Sequence, residues 1–146
     1  DSHESERLAY AHTMAAIGLA DPDDHFDRYV TINQAMWVAV EAGDLQPSEV
    51  RHRRFERFIA EVGVDADPHA MADAFVFGLG NFGELYEGAH GVLETLAAQH
   101  TLAMITNGLS EVQRARIERR LPRSDTDIVT HEIDDLDSLE AIVTGV

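Results

Sequence analysis

The chain has 146 residues, 45% of them hydrophobic, the size and apolar content of an ordinary single-domain protein, and no apolar run reaches the length of a membrane span. Its formal net charge of −16 argues against binding to nucleic acid polymers or anionic membranes, and the absence of cysteine excludes disulfides and thiolate metal sites. The opening DSHESERLAY has neither the basic flank nor the apolar centre of a signal peptide, so the expected setting is cytoplasmic.

In chain order, a first helix is expected over Glu4 to Ile17. Asp21-Pro22, Gln46-Pro47 and Asp67-Pro68 each read as a cap followed by proline at the first helical position, and mark three further helix starts. The helix after Asp21 places Phe26, Tyr29, Val30, Trp37 and Val40 on one stripe, and the helix after Gln46 does the same with Phe55, Phe58, Ile59 and Val62. The fourth runs from Pro68 to about Phe82, so the first half of the chain is a four-helix region with a boundary near Leu85 to Gly88. Beyond it the pattern changes. Val92, Leu93 and Leu96 belong to a helix that leads into the short apolar run Leu102, Ala103, Met104 and Ile105, which suits a strand buried on both faces. Helix followed by buried strand is the alternation of an α/β core.

The segment TLAMITNGLSEVQRARIERR, Thr101 to Arg120, is the most informative. Thr106-Asn107-Gly108 ends the strand, and Ser110 with Gln113 three positions later is a capping-box signature that opens the next helix. A hydroxyl from Thr106, the amide of Asn107 and the partial positive charge of a helix N-terminus together suit a phosphate or carboxylate at the carboxyl end of a strand. A turn that needs Gly108 only for its backbone angles explains the local pattern equally well.

Within the helical region, Arg51, Arg53, Arg54 and Arg57 form the densest positive patch. Arg53 and Arg57 read as a solvated face paired with acids. Arg51 and Arg54 flank the apolar stripe, where a guanidinium pairs with a buried carboxylate or reaches an anionic part of a substrate. Asn33 interrupts the apolar face of its helix, and its amide needs partners, either Arg51 or Arg54 in a brace or a substrate. Trp37 reads as core rather than as a stacking platform for a base. The eight histidines form no H-x-x-x-H or H-E-x-x-H pair and read as scattered surface residues. Asp134, Asp135 and Asp137 lack the spacing of a calcium loop and read as helix capping.

LYEGAHGVLETLAAQHTLAMITNGLSEVQRARIERR, Leu85 to Arg120, resembles the haloacid dehalogenase (HAD) superfamily of hydrolases around its second motif, with Thr106 matching the residue that binds substrate phosphate. INQAMWVAVEAGDLQPSEVRHRRFERFIAEVGV, Ile32 to Val64, resembles the helical cap of the 5′-nucleotidase-like phosphatases, matched at Asn33, Trp37, Gly43, Arg51, Arg54 and Phe55. DIVTHEIDDLDSLEAIV, Asp127 to Val143, is similar to the closing strand and last helix. The resemblance implies an α/β fold, a Rossmann-like core with an inserted four-helix cap. Residues 1–3 would follow the first core strand, 4–85 would form the cap and 86–146 would form part of the core.

The catalytic pieces of the family pattern are not in this sequence. There is no D-x-D-x-T motif for the nucleophilic Asp, Asp1-Ser2 looks like the residues that follow that motif, and the chain has no lysine. IERRLPRSDTDIV, Ile117 to Val129, leaves no room for the strands and helices that carry the family's Lys and later acidic pair, so an omission is expected near 119–124. The implied activity is Mg²⁺-dependent hydrolysis of small phosphomonoesters, such as nucleoside monophosphates, through an aspartyl-phosphate. Thr106, Asn107 and Gly108 would hold the phosphate, Asn33, Arg51 and Arg54 would border the leaving group, and the Mg²⁺ ligands would lie mainly outside this sequence. Two alternatives stand: a 2-haloacid dehalogenase-like hydrolase, which uses an Asp nucleophile without metal, and a non-catalytic helical binding module.

Overall fold

The computed structural model describes residues 2–19, 23–100, 102 and 110–120. The chain divides into two compact units, Asp1–Glu84 and Leu85–Val146. Among its described residues the first contains four α-helices, α1 (Ser2–Ala16), α2 (Phe26–Glu41), α3 (Pro47–Val62) and α4 (Pro68–Asn81), with a 3₁₀ turn, Asp23–His25, leading into α2. α1 packs along α4, α4 along α3, and α3 along α2.

Local chemistry sets most of these boundaries. At α3, Gln46 and Glu49 form a reciprocal capping box with Pro47 in the first turn, and Gly63 closes the helix at a left-handed φ of 77°. At α4 the Asp67 carboxylate accepts from the His69 amide, and Pro68 occupies the position where no N–H is needed. The expected start at Asp21-Pro22 falls on residues outside those described, and α2 opens at Phe26, with His25 providing no side-chain cap.

One core joins the four helices. Ala9, Tyr10 and Met14 of α1, Tyr29 and Ile32 of α2, Phe55 and Phe58 of α3, and Met71, Ala72 and Phe75 of α4 are all buried together. Its centre is aromatic, with ring centroids 5.0 Å apart for Tyr10 and Tyr29, 5.4 Å for Tyr29 and Phe75, and 5.6 Å for Phe55 and Phe75. Small residues let α1 and α4 approach closely. A Cβ added at Gly78 would lie 2.7 Å from the Ala9 Cα, and Gly83, at φ 88°, lies against the Ser5 side chain.

Trp37 departs from expectation, because it is 41% exposed rather than part of the core. The buried face of α2 is centred between Tyr29 and Ile32, a residue that the predicted stripe omits. At roughly 100° per residue, Trp37 lies about 140° round the helix from Ile32, at the edge of the packed face.

In the second unit, α5 (Ala89–Ala97) begins after Gly88, and α6 (Ser110–Arg120) begins at the residue the capping box marks. Among the described residues there is no strand, and the strand expected over Thr101 to Ile105 lies outside them except for Leu102, which has no regular structure. The acidic run Asp134, Asp135 and Asp137 and the closing segment Asp127 to Val143 also lie outside them. No described helix is long and apolar enough to cross a membrane.

Candidate functional site

Thr106, Asn107 and Gly108 lie outside the described residues, and the structure describes only α6, the helix that follows them in sequence. The other three predicted residues are all placed. Asn33 and Arg54 come into direct contact in the middle of the four-helix unit, while Arg51 pairs with Asp73 of α4 at 2.7 Å.

Arg54 and Asn33 belong to a four-residue polar network set in the aromatic core. The Arg54 Nη1 donates to Asn33 Oδ1 at 3.3 Å, Asn33 Nδ2 donates to Glu6 Oε1 at 2.8 Å, and the Tyr29 hydroxyl donates to the same Glu6 oxygen at 3.4 Å. Helical periodicity explains why these polar groups point inward. Glu6 lies four residues before Tyr10, Asn33 four after Tyr29 and Arg54 four before Phe58, so each shares a face with a buried aromatic ring.

Arg54 is only 4% exposed, which makes it a buried cation rather than a flank of the stripe. Its guanidinium carbon sits 4.6 Å from the Phe75 ring centroid and 5.4 Å from that of Phe55, within range of both ring faces. The Arg54 Nε is buried without a hydrogen-bond partner among the described residues. The network's one carboxylate, Glu6, reaches Arg54 through the Asn33 amide, so a positive and a negative charge are joined by a neutral relay.

The Tyr29 phenol is pushed far above its ordinary pKa, first by burial; the Arg54 charge opposes that shift and the Glu6 carboxylate adds to it. Tyr29 therefore stays protonated and acts as the donor. The Arg54 guanidinium only donates, so the Asn33 oxygen must face Arg54 and its NH₂ must face Glu6.

Sequence reasoning missed Glu6. Its legible signal was the i, i+4 relation to Tyr10, which places an acid on the buried face of α1. It also missed a histidine pair. The His52 and His69 rings lie 4.4 Å apart between α3 and α4, 17 positions apart in the chain and beyond the reach of any short metal motif. Arg53 pairs with Glu49 and Arg57 with Glu61, both at 2.7 Å and one turn apart, as a solvated face should. Among the described residues, no three of His, Asp and Glu converge where a metal ion could sit. Magnesium needs several oxygen ligands, and these residues do not supply them.

No family model matches the chain. It is 33% identical over 117 residues to the HAD-hydrolase YfnB of Bacillus subtilis, covering 80% of this chain and 50% of YfnB. Pyrimidine 5′-nucleotidase PynA of Streptococcus pneumoniae is 29% identical over 118 residues, which cover 80% of this chain and 50% of PynA. Pyrimidine 5′-nucleotidase YjjG of Escherichia coli is 27% identical over 96 residues, which cover 66% of this chain and 42% of YjjG. The chain thus spans about half the length of the curated relatives it matches. The crystal structure of YfnB bound to magnesium superposes with a TM-score of 0.71 at 29% identity, over 82% of this chain and 52% of YfnB. Sequence and fold each liken about four-fifths of the chain to YfnB, a haloacid dehalogenase-type hydrolase, and the chain is similar in sequence to two relatives named as pyrimidine 5′-nucleotidases.

Proposed function

We propose that the protein carrying this chain is a HAD-type phosphatase that hydrolyses small phosphomonoesters, with nucleoside monophosphates as the substrate class. The observation that supports this most directly is the match to YfnB in fold over 82% of the chain, together with two relatives named as pyrimidine 5′-nucleotidases. In this reading, residues 4–85 are a cap inserted in an α/β core, and residues 86–146 contribute part of that Rossmann-like core.

The chemistry divides between this chain and a carboxylate nucleophile that none of its residues provides. A carboxylate oxygen forms a bond to phosphorus, the ester oxygen leaves, and water then cleaves the acyl phosphate to release inorganic phosphate. Thr106, Asn107 and Gly108 hold the phosphoryl oxygens as negative charge gathers on them, and α6 follows them in sequence. In this reading Asn33 and Arg51 border the leaving group, and Arg54, buried in the aromatic core, acts on it only through Asn33. Magnesium, carried by YfnB in its crystal structure, is the proposed cofactor, and the described residues of this chain do not supply its ligands. The proposed setting is cytoplasmic.

The test is phosphate release by the full-length protein from pyrimidine and purine nucleoside monophosphates, small sugar phosphates and an aryl phosphate, with halide release from a 2-haloacid as the contrasting assay. Thr106→Ala should lower turnover by about 10²–10³, the usual cost of losing one preorganised donor, with little change in melting temperature. Halide release without phosphate release would transfer the assignment to dehalogenation. Unchanged kinetics in Thr106→Ala would make the turn structural.

A further inference from the structure

We propose that Glu6 is a positioning residue, holding the Asn33 amide in the one orientation that presents a fixed donor and acceptor to substrate. The inference rests on reading Asn33 as a substrate contact. Asn33 carries two N–H donors and two acceptor lone pairs. Glu6 takes one donor and Arg54 takes one lone pair, which leaves one N–H and one lone pair on a half-buried side chain. A planar polar edge, such as that of a nucleobase, is read by such a pair only if the amide cannot turn over.

Glu6 prevents the turn. Flipping the amide would set its oxygen against the Glu6 carboxylate and its NH₂ against the Arg54 guanidinium, two repulsive contacts in place of two hydrogen bonds. The Tyr29 hydroxyl donates to the same Glu6 oxygen and holds the carboxylate in place. Glu6 comes from α1, Asn33 and Tyr29 from α2 and Arg54 from α3, so three helices must be assembled before the amide acquires its direction.

Glu6→Gln in the full-length protein tests this, because glutamine keeps the shape but both donates and accepts, which leaves the longer 3.3 Å bond from Arg54 as the remaining constraint on the orientation of Asn33. The readout is the specificity ratio, kcat/KM for a pyrimidine nucleoside monophosphate divided by that for p-nitrophenyl phosphate, which has no base. The ratio should fall by about three- to tenfold, the span of one or two neutral hydrogen bonds, with the change in KM rather than kcat. Asn33→Ala should lower it comparably, and adding Glu6→Gln to Asn33→Ala should lower it no further.

A fall in melting temperature with an unmoved ratio would make Glu6 purely structural and overturn the proposal. An equal further fall in the Asn33→Ala background would overturn it too, since Glu6 would then act by another route. If Asn33→Ala itself leaves the ratio unchanged, the reading of Asn33 as a substrate contact fails first and the inference fails with it. Should Glu6→Gln not fold, Tyr29→Phe removes one of Glu6's two donors at nearly constant volume. It should move the ratio the same way by about twofold, and no movement there would be equally fatal.

Discussion

Replacing Asn33 with leucine removes the relay between a buried cation and its carboxylate while keeping a side chain of similar size. Two hydrogen bonds disappear, the 2.8 Å bond to Glu6 and the 3.3 Å bond from Arg54. Bonds to charged groups contribute about 1.5–3 kcal/mol each, and the longer one belongs below that range, so the gross loss is about 2–4 kcal/mol. Leucine returns part of it, about half a kcal/mol from better helix propensity and roughly as much again from apolar contact at a half-buried site. The expected net cost is about 1–3 kcal/mol, much of it from an Arg54 left buried with no acceptor at Nη1. Arg54→Met, by contrast, replaces a buried charge with an apolar side chain and should be close to neutral, because the guanidinium's desolvation is relieved as its ring contacts are lost. The double variant should therefore cost less than the sum of the two single ones, with a coupling of about 1 kcal/mol. Urea unfolding followed by helical circular dichroism reads these differences as midpoint shifts at constant m. A cost below about 0.5 kcal/mol for Asn33→Leu, or strict additivity with Arg54→Met, would refute the claim that the network is an energetic unit.

Two further predictions concern the core. The Tyr10 hydroxyl is buried without a hydrogen-bond partner among the described residues, so Tyr10→Phe should leave stability at pH 7 unchanged or raise it by about 1 kcal/mol. Burial, and then the Asp23 charge, push the Tyr10 phenol up to about 12. Its contribution is complete below the unfolded phenol's pKa near 10 and is lost as pH rises from there toward 12, because the unfolded phenol ionises first. Phe at this position should flatten that alkaline decline, and identical pH profiles for the two proteins would count against the assignment. Gly78→Ala gains helix propensity, yet its Cβ would meet the Ala9 backbone 2.7 Å away, where no side chain can yield. Melting curves should show a net loss of about 1–3 kcal/mol, and a stabilised variant would show that α1 and α4 separate easily.

The four helices were legible because their determinants are local. Gln46-Pro47 and Asp67-Pro68 mark helix starts through groups a few residues apart, and the Phe55, Phe58, Ile59 and Val62 stripe follows from one helix's own periodicity. The likeness to haloacid dehalogenase-type hydrolases was legible in the same way, from short segments whose residue types keep their order along the chain. The candidate site was legible only in part. Asn33 and Arg54 stood out as polar groups on apolar faces, but whether Arg54 lay at the rim or inside depended on the Phe55 and Phe75 rings, and the latter belongs to another helix. Trp37 was misplaced for a related reason: periodicity orders residues around a helix, but the neighbours choose which face they cover. Glu6 and the His52 and His69 pair required the assembled bundle, since their partners lie on other helices, 23 to 27 positions away for Glu6 and 17 for the histidines. Helix periodicity and capping are properties of a chain segment, whereas charge compensation depends on distances between segments, and only tertiary packing sets those distances.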